Sequence, residues 1–387
     1  MTQRDERTDW IMRVGTTLLG ILAAASAMPA IAEPPQRGSL PNPTSLDVQS
    51  PLTRPHNASA GFRADRHFGE GVLTYRLEPG VQVRVVAPPA AQFDRPKPTQ
   101  IIVYALPNGN TTDQTIGKRV TSGVDWHYGI QHIGAQTRRM REVIRDENLV
   151  TAYVEADGKS WPAWRSKHAD SSRIIAQVID SIAGRFEGMQ TSITLTGHSG
   201  GGSFIFGYLN GVDQISDRID RIAFLDSNYA YSDDQHHGDK LIAWLKASPR
   251  NHLIVIAYDD RNIMLDGKRV VSPTGGTYRR TTEMIARLRK EIALSEKPLL
   301  ETLPTGAFPA IAPSGHASAL AMSKRYRGLD GQIDIVLVEN PQNKILHTVL
   351  VGDMSGFIHA ITSGTPYENR VAVFGGPVTY EKWIQQD

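Results

Sequence analysis

Short apolar runs separated by amphipathic stretches fill the chain from about residue 70 onward. Gly71–Leu77 and Val81–Ala87 alternate apolar and polar positions on either side of Glu78-Pro79-Gly80, which predicts a hairpin. Gln100–Leu106 is apolar without alternation, so it needs burial on both faces and predicts an interior strand of a parallel sheet. Asn148–Glu155, Ile193–Thr196, Arg221–Leu225, His252–Tyr258 and Gln332–Val338 predict further strands. Between them Trp126–Glu147, His168–Phe186, Lys240–Ala247 and Thr281–Leu294 read as helices; in the first, Ile130, Ile133, Met140, Val143 and Ile144 share one side. A hairpin followed by alternating strands and helices predicts an α/β domain, a mostly parallel eight-stranded sheet with helices on both faces.

The first stretch follows a different rule. Arg13 precedes the apolar run Leu18–Ala25, and Ala30-Ile31-Ala32 supplies small residues for cleavage, the pattern of a secretory signal peptide over residues 1–32. The run is too short to span a bilayer and Pro29 interrupts it, so no membrane anchor is expected. Residues 33–65 are Pro-rich and polar and read as a flexible lead-in, leaving 66–387 as the folded domain. A formal net charge of +2 without a dense Lys/Arg block argues against a nucleic-acid partner. The chain has no cysteine, which removes disulfides, thiol nucleophiles and Cys-ligated metals. Export therefore brings no disulfide framework, and stability must come from the core.

One stretch carries candidate chemistry. The strand Ile193–Thr196 leads into Gly197-His198-Ser199-Gly200-Gly201 and then into an apolar segment that reads as a helix. A phosphate-cradling loop is excluded, because no Lys-Ser/Thr pair follows the last glycine. Strand, Gly-x-Ser-x-Gly, helix resembles the nucleophile elbow of the α/β-hydrolase superfamily. The hairpin at the start and the elbow after the fifth strand extend that resemblance over nearly the whole predicted domain.

The resemblance implies a serine nucleophile, then an acid, then a histidine in chain order. Serine needs a base within reach, and imidazole needs a carboxylate to fix its tautomer. Ser199 is the implied nucleophile. His347, in the loop after the eighth strand, is the implied base, with His359 as runner-up. Strand-end aspartates are candidates for the acid, ranked Asp259, Asp226, then Asp260. The amide of Gly200, next after the nucleophile, is the expected oxyanion donor. The loop after the third strand would supply a second, and here Pro107-Asn108-Gly109-Asn110 stands where the superfamily has His-Gly, so Asn108 and Gly109 are the candidates. His198, inside the elbow, need not be catalytic. Trp161 and Trp164, in the predicted loop Ala156–Arg165, form either a substrate wall or local packing. His236-His237 beside Asp233, Asp234 and Asp239 reads as a solvated loop, and no metal or other cofactor is expected.

The expected function is an exported serine hydrolase cleaving a carboxylic ester through an acyl-enzyme. Its partner would be a small-molecule or polymeric ester or amide; the pattern implies no particular oligomeric state. A peptidase or amidase, an acyltransferase on the same residues, and a non-catalytic binding protein on the same fold are the alternatives. The inserts Ala156–Arg165 and Leu299–Arg327 are where specificity is expected.

Overall fold

The computed structural model describes residues 61–303, 317–368, 370 and 380–386. The expected signal peptide, nearly all of the lead-in and the middle of the Leu299–Arg327 insert lie outside the described residues. The hairpin expectation corresponds to β2 (Glu70–Leu77) and β3 (Val81–Pro89), with β1 (Arg63–Ala64) pairing onto β2 from within the expected lead-in. There follow β4 (Thr99–Ala105), β5 (Asn148–Ala156), β6 (Thr191–His198), β7 (Ile219–Leu225) and β8 (His252–Tyr258). The short β9 (Met264–Leu265) and β10 (Lys268–Arg269) form a separate ribbon, and β11 (Ser295–Pro298), β12 (Lys324–Gly328) and β13 (Ile333–Val338) complete the set.

The main sheet runs β1-β2-β3-β5-β4-β6-β7-β8-β13-β12-β11. Its centre, from β5 across to β13, is parallel, and both flanks are antiparallel. This strand order, with a Gly-x-Ser-x-Gly turn leaving the fifth strand from the hairpin, is the α/β-hydrolase fold. Among the described residues the sheet has eleven strands rather than the expected eight, because β1 extends one edge and β11 and β12 the other. Composition hides these additions. The β12 sequence Lys324-Arg325-Tyr326-Arg327-Gly328 is charged, and Arg325 is buried only because it pairs with Asp334 and Glu368.

Strand alternation splits the interior into two cores. Ile101, Val103 and Ala105 face one, and Ile102 and Tyr104 the other. The first core is closed by α3 (Trp161–Lys167), α4 (Ser171–Ala183), α5 (Gly202–Gly211), α6 (His237–Ala247) and α7 (Thr277–Arg289); the second by α2 (Ile133–Val143), α8 (Ala317–Met322) and α9 (Gly356–Thr362). The remaining helix, α1 (Thr112–Ile116), opens with a Thr111 capping box. The helix expected over Trp126–Glu147 is shorter: a single 3₁₀ turn, Trp126–Gly129, is separated from α2 by His132 at φ 49°. Ala156–Arg165 is not an open loop either. Ser160 caps α3, and Pro162 occupies its first turn, where a missing N–H costs nothing.

Candidate active site

The nucleophile elbow forms at the end of β6. Ser199 takes φ 54°, a left-handed conformation that a non-glycine residue holds only where its surroundings impose it. Two residues on, the backbone packs so tightly that a Cβ at Gly201 would stand 2.2 Å from the Ala105 carbonyl oxygen on β4. At Gly200 a Cβ would meet the Asn108 carboxamide at 2.0 Å, so the loop after β4 lies directly against the elbow. Gly200 itself belongs to the first turns leading into α5, where amides have no acceptor within the helix. The helix dipole adds partial positive charge at that point.

His347 sits in the loop after β13 and is buried. Its Nδ1 bonds Asp226 Oδ2, and the aspartate ends β7 in a left-handed conformation of its own, φ 46°. The other Asp226 oxygen accepts the hydroxyl proton of Thr277, the first residue of α7. Burial lowers the His347 imidazole and raises the Asp226 carboxyl; for Asp226 the Thr277 hydroxyl and a backbone hydrogen bond at Tyr258 oppose the rise. The geometry supports a neutral imidazole, protonated on Nδ1, beside a carboxylate held by several donors. His347 Nε2 then carries a lone pair.

That nitrogen and Ser199 Oγ are both buried without a hydrogen-bond partner among the described residues. The two residues line one small cavity, about 20 Å³ in volume, together with Pro107, Asn108, Asn110, Trp126, Ile130, Gln131, His198 and Thr348. The two atoms do not bond each other here; catalytic hydrogen bonds commonly tighten only around a substrate. His198 buttresses His347: its Nε2 donates to the His347 carbonyl oxygen at 3.0 Å, and the rings lie 4.3 Å apart between centroids. Burial, and then the neighbouring His347, hold the His198 pKa well below its ordinary value.

Other sequence candidates fall elsewhere. Asp259, ranked first for the acid, is clamped by the Arg261 guanidinium at 2.7 and 2.8 Å instead of meeting His347. Strand adjacency does not decide it, since Asp259 ends β8, the strand beside β13, and Asp226 ends β7 one strand further; the Asp259 carboxylate turns back onto the residue two places on. Asp260 caps α7 from outside, accepting the Thr277 N–H at 2.8 Å. His359 lies on α9 against Asp334, near the start of β13 and therefore far along that strand from His347. The Gly109 amide is spent on the Lys159 carbonyl at 2.8 Å, which removes it as an oxyanion donor. Trp161 packs into the core against Trp164 and Phe204, with its Nε1 on the Val154 carbonyl, and forms no substrate wall. His237 is buried between Ser232 and Asn210, while His236 pairs with Asp239; among the described residues no group of three His, Asp or Glu side chains is arranged to hold a metal ion.

Sequence reasoning missed Thr277 and Gln131. Thr277 had a faint signal, the Gly275-Gly276-Thr277 run opening a helix after the β8 loop. Gln131 had none, because it fell inside a segment read as continuous helix.

No family model and no curated protein matches this chain. Solved structures similar to it include a thermostable esterase at 10% identity, covering 70% of this chain and 55% of that one with a TM-score of 0.39. An S-formylglutathione hydrolase from Agrobacterium tumefaciens aligns at 13% identity over 57% of this chain and 84% of its own, with a TM-score of 0.32. A siderophore hydrolase from Aspergillus nidulans aligns at 12% identity over 81% of this chain and 97% of its own, with a TM-score of 0.35. The fold assignment rests on the strand order and the elbow, not on these likenesses.

Proposed function

We propose that the protein is a serine hydrolase that cleaves carboxylic esters through an acyl-enzyme. One observation carries the proposal: His347 Nδ1 is fixed on Asp226, while His347 Nε2 and Ser199 Oγ stand unpartnered in the same cavity. Ser199 Oγ attacks the ester carbonyl carbon and its proton passes to His347 Nε2. Asp226 stabilises the imidazolium so formed, and the Gly200 N–H at the head of α5 receives the developing oxyanion. The tetrahedral intermediate collapses, the alcohol leaves with the proton from Nε2, and an acyl-Ser199 ester remains. Water then repeats the sequence, freeing the acid and restoring the serine.

The test is the intact mass of the purified protein after exposure to a fluorophosphonate, beside Ser199→Ala. One adduct on the wild type and none on the variant supports the proposal. An unlabelled, well-folded wild type removes it and leaves a binding protein on the hydrolase fold. The Arg13–Ala32 pattern further supports action outside the cytoplasm. A mature protein that begins at Glu33 when expressed in a secreting host checks that placement, and an unprocessed chain refutes it.

A further inference from the structure

Gln131 is a buried polar residue at the cavity that the chemistry above leaves idle. It precedes α2, has no exposed surface, and lines the cavity that Ser199 and His347 share. Its main chain is pinned, the carbonyl accepting Gln136 Nε2 at 2.8 Å. Its side chain is pinned as well, with Oε1 accepting the Tyr104 hydroxyl at 2.7 Å. Tyr104 is fully buried on β4, and Gln131 is that hydroxyl's one hydrogen-bond partner among the described residues. A buried phenol satisfies its proton only by donating to an oxygen, which fixes which end of the carboxamide faces Tyr104. The amide nitrogen is therefore the end left over. Among the described residues Gln131 Nε2 is buried without a partner, and Asn110, on the same cavity, also has its Nδ2 buried without one.

A buried donor left unpaired is costly, so two at one cavity call for an acceptor that arrives with the ligand. The remaining walls are partly apolar, with Pro107, Trp126 and Ile130. The cavity is small, about 20 Å³, which favours an acceptor carried on a short acyl chain.

We propose that Gln131, oriented by Tyr104, is a specificity-determining residue that donates through Nε2 to an oxygen in the acyl part of the substrate. Esters of short oxygenated acids, bearing an ether or hydroxyl oxygen close to the scissile carbonyl, are then the preferred class. The assignment rests on the serine-hydrolase reading.

The probes are p-nitrophenyl methoxyacetate and p-nitrophenyl butyrate, whose acyl chains match in length and differ by one oxygen in place of one methylene. The intrinsic reactivity of each ester is the same for every variant, so changes in the ratio of their kcat/KM values isolate the contact. Gln131→Met is expected to lower the methoxyacetate-to-butyrate ratio about tenfold, the effect of one buried hydrogen bond. Tyr104→Phe keeps the amide but frees it to turn, and is expected to lower the ratio by about threefold, a fraction of that bond. Thermal melts accompany both variants.

An unchanged ratio in folded Gln131→Met overturns the assignment. Equal losses for both esters then place Gln131 at the scissile carbonyl, and no loss at all leaves its nitrogen to a water. If Gln131→Met does not fold, an unchanged ratio in Tyr104→Phe overturns it. A wild type that takes the fluorophosphonate but does not turn over the methoxyacetate ester overturns the acyl preference alone. A wild type that takes no label removes the hydrolase reading and this inference with it.

Discussion

Asp226→Asn is the most direct test of the acid assignment. Both oxygens of Asp226 are committed, one to His347 Nδ1 and one to the Thr277 hydroxyl. Thr277 donates, so an asparagine at 226 keeps its carbonyl oxygen on Thr277 and turns its NH₂ toward His347. Nδ1 must then accept, its proton moves to Nε2, and the lone pair that faced the serine is lost. An aspartate-to-asparagine change in a serine-protease triad, which leaves the imidazole in the same wrong tautomer, lowers kcat by about 10⁴, or about 5.4 kcal/mol of barrier. A loss of about that size is expected here in kcat for a p-nitrophenyl ester, with KM changed much less. Asp259→Asn is the matched control: its half-buried carboxylate meets Arg261 and not His347, so activity is expected within about threefold of wild type. Asparagine keeps the volume of aspartate, and melting temperatures separate lost chemistry from lost structure. The assignment is refuted if Asp259→Asn is the dead variant, or if folded Asp226→Asn keeps more than about a tenth of the wild-type kcat.

Further expectations follow from the same geometry. Thr277→Val removes a buried hydroxyl donor from a carboxylate, and a loss of about 1.5–3 kcal/mol in urea-unfolding free energy is expected together with slower turnover; Thr277→Ser restores both, and a neutral result refutes the role. His237 accepts the Ser232 N–H on Nδ1 and bonds Asn210 through Nε2, so it is neutral in the fold, and burial pushes its pKa down to about 4. The unfolded chain then binds the extra proton between about pH 6.5 and pH 4. His237 contributes stability that is full above pH 6.5 and lost as pH falls through that window, at about 1.4 kcal/mol per pH unit. His237→Gln is expected to flatten that slope, and an unchanged slope refutes it. Asp334→Ala leaves the buried Arg325 with Glu368 as its remaining carboxylate and takes the Asp334 carboxylate from His359, for an expected loss of about 3 kcal/mol by denaturant titration; a loss below about 1 kcal/mol refutes the pairing.

The central strands were legible because burial on both faces forces continuous apolar sequence, and Gln100–Leu106 or His252–Tyr258 admits little else. The elbow was legible because close backbone approach demands glycine where Gly201 meets Ala105. Edge strands were not, since their residues answer to charge partners far away in sequence; Arg325 reads as surface until Asp334 and Glu368 are placed beside it. The candidates for the acid could not be told apart for a related reason. Asp226 and Asp259 both end strands, and only three-dimensional placement shows one turned to His347 and the other to Arg261. Gln131 was invisible, because the break at His132 that separates it from α2 is a backbone conformation with no glycine or proline to announce it.

The two margins of the long sheet bear on how the protein behaves in crowded solution. An exposed strand margin is a template for recruiting another chain. Among the described residues one margin is the two-residue β1, and the other is β11, Ser295-Glu296-Lys297-Pro298, which is exposed throughout and closes on a proline. Glu296 is tied to Arg289 and Lys324, so a second molecule approaching that margin meets side chains that are already solvated and paired. Growth of the sheet by intermolecular strand addition is disfavoured at both ends, and concentrated protein is expected to resist fibril formation without help from disulfides.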